Sequence, residues 1–73
     1  NPSNENQALI ATKIIRALLK AQSPRLSNIA EKIEGMTDTC YKANQHFIAR
    51  VEIKRQLLRL SQEEAEFVDE GFS

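Results

Sequence analysis

Between Glu5 and Leu60 the apolar residues of this chain recur every three or four positions, and no stretch alternates apolar with polar as a half-buried strand must. The chain therefore has to bury itself helix on helix. Seventy-three residues leave room for one such domain, because a chain this short buries only about 60% of its unfolded surface. After a polar Asn-Pro leader, Asn4 and Gln7 have the spacing of a capping box, which starts a first helix near Glu5 and lets it run to about Ala21. Ile10, Ile14, Ala17, Leu18 and Ala21 share one face of it. Ala11, Ile15 and Leu19 widen that face past half the circumference, so the polar stripe shrinks to Thr12, Lys13, Arg16 and Lys20. A helix this apolar is enclosed on two sides, as the central post of the domain or as half of an interface.

Ser23-Pro24 then sets a serine N-cap before a proline at the first helical position, where the missing N–H costs nothing. Leu26, Ile29, Ala30 and Ile33 form the stripe of a short second helix. Gly35 is expected to end it as the residue that tolerates a left-handed conformation. Thr37 or Asp38 is expected to cap a third helix reaching about Arg50, with Cys40, Ala43, Asn44, Phe47 and Val51 inward and Thr39, Lys42, Gln45, His46 and Ala49 outward. Residues 52–60 continue in helical phase, either as a fourth helix or as a bent prolongation of the third. Ser61 and Glu64 make a capping box that opens a last turn or two carrying Ala65, Phe67 and Val68. The expectation is an all-α domain, a small bundle of four to five helices.

No apolar run approaches the roughly 20 residues of a membrane span, so no membrane partner and a cytoplasmic location are expected. One cysteine and one histidine provide neither a disulfide nor a four-ligand zinc site. Two isolated glycines make no phosphate cradle. The formal charge is zero, yet it is segregated along the chain. All ten bases and five of the acids lie before residue 61, giving +5, and the remaining five acids follow it, giving −5. Those acids, Glu63, Glu64, Glu66, Asp69 and Glu70, read as a solvated or tethering segment rather than a magnesium site. No catalytic constellation, metal or other cofactor is expected. The chain opens on Asn1 and stops at Gly71-Phe72-Ser73, which reads as a piece of something longer.

Function is carried by residues 24–50, where a short helix, a glycine turn and a longer helix with a polar outer face match a helix-turn-helix. Any three-helix bundle with a tight turn has the same pattern, and that reading stands beside it. On the DNA reading, Thr39, Lys42, Gln45 and His46 meet base edges or phosphates of a duplex. Arg25 and Asn28, at the start of the preceding helix, would hold a phosphate, and Arg50, Lys54 and Arg55 would neutralise others. The acidic segment is expected to fold back on this basic face. The competing reading is a protein-interaction module in which Leu9, Ile15 and Leu19 mediate a homodimer or dock another domain.

The stretch Ile14-Ile15-Arg16-Ala17-Leu18-Leu19-Lys20-Ala21-Gln22-Ser23-Pro24-Arg25-Leu26-Ser27-Asn28-Ile29-Ala30 resembles the N-terminal region of bacterial insertion-sequence transposases of the cut-and-paste DDE type. In these, a leucine-rich helix runs into a Gln-Ser-x-x-Leu-x-x-Ile/Leu-Ala phrase. The run Gln45-His46-Phe47-Ile48-Ala49-Arg50-Val51-Glu52-Ile53-Lys54-Arg55-Gln56-Leu57-Leu58-Arg59-Leu60 is similar to the aromatic-anchored helix and the acid-Ile-Lys-Arg-x-Leu-Leu phrase that follow there. The resemblance covers most of residues 9 to 66. It implies a helical, non-catalytic DNA-binding domain that recognises double-stranded transposon ends, with segment 61–73 leading to a catalytic domain bearing an acidic metal triad beyond Ser73. Between Gly35 and Asn44, where such proteins carry more basic residues, this chain has Asp38, Thr39, Cys40 and Tyr41.

Overall fold

α1 (Asn4–Lys20) is the post around which the other three helices pack. Its buried side carries Ala11, Ile14, Ala17 and Leu18, whereas Ile10 and Leu19, which the apolar arc placed inward, are exposed together with Thr12, Lys13, Arg16 and Lys20. A computed structural model describes residues 4–72. The polar leader and the side chain of Asn4, with the capping role expected of it, lie outside the described residues. Among those described there are four helices and no strand: α1, α2 (Pro24–Lys42), α3 (His46–Leu57) and α4 (Gln62–Phe72). The chain is an all-α bundle, and α1 touches α2, α4 and, less extensively, α3.

α2 begins where Ser23-Pro24 places it, with the Ser23 hydroxyl accepting from the Leu26 N–H at 3.4 Å. It does not end where glycine was expected to end it. Gly35 keeps an ordinary negative φ and the helix runs through it to Lys42. The reason is the phase of the buried stripe. Leu26, Ile29, Ala30 and Ile33 are followed without a break by Thr37 and Cys40, all buried on the same side. A helical glycine costs only about 1 kcal/mol against alanine, less than burial of two further side chains returns. The Thr37 hydroxyl, expected as a possible cap of a new helix, turns back onto this one, donating to the Glu34 carbonyl at 3.2 Å, and the Thr39 hydroxyl likewise donates to that of Gly35 at 3.0 Å.

The bend comes instead at residues 43–45. Asn44 adopts φ 58°, the Gln45 N–H donates to the Cys40 carbonyl at 2.7 Å, and the Asn44 N–H to that of Tyr41 at 3.1 Å. This is a Schellman closure with asparagine in the left-handed position. The break resets the helical phase, so Ala49 and Ile53 of α3 turn inward against α2. Ala43, Asn44, Phe47 and Val51, expected inside, are exposed, and Ala49, expected outside, is fully buried.

The acidic segment is a true element of the bundle rather than a tether. The capping box at its start forms as the spacing predicts, with the Ser61 N–H donating to Glu64 Oε1 at 2.8 Å and the Glu64 N–H to Ser61 Oγ at 3.1 Å. α4 then extends through three turns, buries Val68 in the core and approaches α1 so closely that a Cβ on Gly71 would stand 3.0 Å from that of Ala17.

Nothing lies within 4 Å of where a Cβ on Gly35 would stand. Gly35→Ala should therefore stabilise the fold by about 0.5–1 kcal/mol in urea denaturation. Destabilisation would mean that Gly35 needs the left-handed backbone of a helix end.

Candidate nucleic-acid interface

Because Ala49 and Ile53 face the core, helical geometry turns the opposite side of α3 to solvent: Phe47, Ile48, Val51 and Arg55 outermost, with Arg50 and Lys54 on one flank. Phe47 is 68% exposed and Leu58, at the end of the helix, 78%. The Arg50 guanidinium lies 5.8 Å from the centre of the Phe47 ring, and Arg50 and Lys54 rim an apolar groove floored by Ile10, Ile14, Ile53 and Leu57. Arg55 pairs with Glu52 at 2.9 Å, and Arg59 donates to Gln56 Oε1 at 2.8 Å. Both contacts are at the surface, where such pairs are worth well under about 1 kcal/mol and yield readily to a phosphate. Glu52 is the one acid on this helix.

The four residues expected to read bases do not share a helix. Thr39 and Lys42 lie on the outer side of α2 with Asn28, where Lys42 pairs with Asp38 at 3.1 Å and Glu31 adds another acid. Gln45 occupies the N-cap position of α3 and makes no side-chain capping bond. His46 is half-buried and stacks on Tyr41 at 5.1 Å between ring centres. Tyr41 donates to the Gln7 carbonyl at 3.2 Å, tying the end of α2 to the start of α1, and burial followed by the neighbouring Cys40 raises its phenol above the ordinary value. A recognition helix over residues 37–50 is thus corrected to two helix ends and a turn. Of the expected contacts, Arg50, Lys54 and Arg55 are brought onto one exposed helical surface.

Arg25 is also placed differently from the expectation of a free phosphate ligand. Its guanidinium holds Glu64 at 3.2 Å and donates to the carbonyl of Arg59, so it clamps the start of α2 to the turn before α4. This is the route by which the acidic segment meets the basic body at Arg25, whereas α4 itself lies along α1. Hydrogen bonding from the Ser61 N–H lowers the Glu64 carboxyl below its ordinary value against an opposing desolvation, and the Arg25 charge and the Ser61 hydroxyl add lesser lowering.

The exposed apolar side chains on α3 were missed by sequence reasoning. Their spacing is that of an inward stripe, and only the left-handed Asn44 signals that the phase is lost. Among the described residues no cluster of three metal-ligating side chains occurs, and no helix is long and apolar enough to cross a membrane. No protein-family model, curated protein or solved structure matches the chain.

A carboxyl with a depressed pKa stabilises the fold above its unfolded pKa and loses that contribution as pH falls through the folded value. Thermal unfolding followed from about pH 6 to about pH 3 should therefore fall less steeply for Glu64→Gln, which keeps the capping geometry without the charge, than for the natural chain. Parallel curves would show that the clamp contributes nothing pH-dependent.

Proposed function

We propose that this chain is a DNA-binding module that docks α3 on double-stranded DNA, as the non-catalytic recognition part of a transposase acting at transposon ends. The observation that carries it is the placement of Arg50, Lys54 and Arg55 on the solvent side of one short helix, with Arg59 just beyond it and a single acid among them. α2 packs behind α3 across the three-residue turn, and α1 packs on α2 and touches α3, so the basic helix is backed by the bundle with its outer side exposed. A B-form major groove is about 12 Å wide and admits such a helix. The transposase part of the reading rests on the likeness of residues 14–30 and 45–60 to the N-terminal phrases of that family.

Long guanidinium and ammonium side chains on the flanks of α3 reach phosphates on either side of the groove, and Asn28, Thr39 and Lys42 on α2 are exposed toward solvent as further polar contacts. Arg25 is left out of the contact set, because freeing it would cost the clamp on Glu64. Neutralising three or four phosphates gives a slope of log K against log salt of about −3.

A second reading, a protein-interaction module, is favoured by the exposure of Phe47, Ile48, Val51 and Leu58 along the same helix. The two readings separate in one experiment. Arg50→Ala combined with Lys54→Ala, both exposed, should leave the fold intact, weaken binding to duplex DNA and make the salt slope shallower by about 2. An unchanged slope, measured by fluorescence anisotropy at several salt concentrations, would remove α3 from the DNA contact.

A further inference from the structure

Resting on the reading of α3 as the DNA-contacting helix, we propose that α3 discriminates base sequence through apolar contact with pyrimidine C5-methyl groups, so that its target is thymine-rich where the helix enters the major groove. Phe47, Ile48 and Val51 are 68%, 45% and 39% exposed. At 100° per residue they fall, with Arg55, within an arc of about 100° centred opposite the buried Ala49 and Ile53. The groove-facing surface of this helix is therefore mostly apolar, with Arg55 within it and Lys54 and Arg50 along one edge. Arg55, paired with Glu52, is the one side chain on that arc able to donate a hydrogen bond to a base edge, so the rest of the arc can read bases only by apolar contact. The one base feature in the major groove that rewards an apolar side chain is the thymine methyl.

Charge fixes DNA as the occupant. Arg50 and Lys54 flank the apolar residues on one side, Arg55 lies among them and Arg59 stands just beyond the helix, and such a mixed apolar and cationic surface complements methyl groups lying between two rows of phosphates. It does not complement its own twofold copy, since pairing α3 with α3 would bring the same four cations together. Burial of one methyl group is worth about a four-fold change in affinity, and two about fifteen-fold.

The test uses four alternating duplexes of about 20 base pairs with the 73-residue chain at low salt: d(AT), d(AU), d(GC) and d(G-5-methylcytosine). Thymine and uracil differ only by the methyl, as do the two cytosines, and both pairs keep their base-pairing edges. Binding to d(AT) is expected to be about four- to fifteen-fold tighter than to d(AU), and methylation of d(GC) to tighten it in the same direction. The double variant Phe47→Ala, Val51→Ala should abolish both differences while keeping the salt slope. Equal affinity for d(AT) and d(AU) with the salt slope intact would overturn methyl readout and leave electrostatic docking standing. Failure to bind any duplex would overturn the DNA reading itself. Loss of self-association in sedimentation, with DNA affinities unchanged in the double variant, would overturn the proposal by assigning the arc to a protein interface.

Discussion

The architecture depends on one continuous apolar stripe along α2. Leu26, Ile29, Ala30, Ile33, Thr37 and Cys40 all face the core, and that stripe carries the helix through Gly35 to Lys42. Glycine at a helix interior is a modest penalty, and the choice between stopping and continuing is decided by what the next two turns bury. Here they bury a threonine whose hydroxyl is satisfied by the preceding turn, and a cysteine. The position of the bend, and with it the phase of α3, follows from that choice. If the helix stopped at Gly35, Phe47 and Val51 would point inward. Because it continues to a turn built on Asn44, they point out.

The same logic separates what was legible in the sequence from what was not. Features encoded within one turn of chain were readable. The serine-proline start of α2 and the reciprocal Ser61–Glu64 cap are local hydrogen-bond patterns, and both form as their spacing requires. The centre of the buried arc of α1, from Ala11 to Leu18, was readable because no helix-breaking residue interrupts it, while its margins at Ile10 and Leu19 are exposed. The end of α2 was not, because glycine is ambiguous: it permits a left-handed helix end without demanding one. Asparagine at position 44 carried the weaker signal and proved to be the terminator. The stripe through Thr37 and Cys40 was in phase with Ile33 all along, but the polar threonine masked it.

For the candidate interface the consequence is a redistribution of roles. Arg25 exchanges a proposed phosphate for a carboxylate within the fold, and it links the start of α2 to the start of α4 and the turn before it. Thr39 and Lys42 are engaged on α2, and His46 is stacked on Tyr41. The cations that remain outward on a single helix, Arg50, Lys54 and Arg55, are those expected from the sequence to neutralise phosphates rather than to read bases. Charge segregation along the chain becomes segregation between helices, with α3 basic and α4 acidic, and each sign sits well with its helix: Glu63 and Glu64 at the N-terminal end of α4, Lys54 and Arg55 at the C-terminal end of α3.

Amide hydrogen exchange and backbone NMR shifts across residues 33–46 bear on this most directly. A helix unbroken through Gly35 predicts helical shifts and exchange protection from Ile33 to Tyr41, with the left-handed signature confined to Asn44. A left-handed Gly35, followed by rapidly exchanging amides at residues 36–38 and helical protection resuming across residues 43–45, would contradict it and return Phe47 and Val51 to the core.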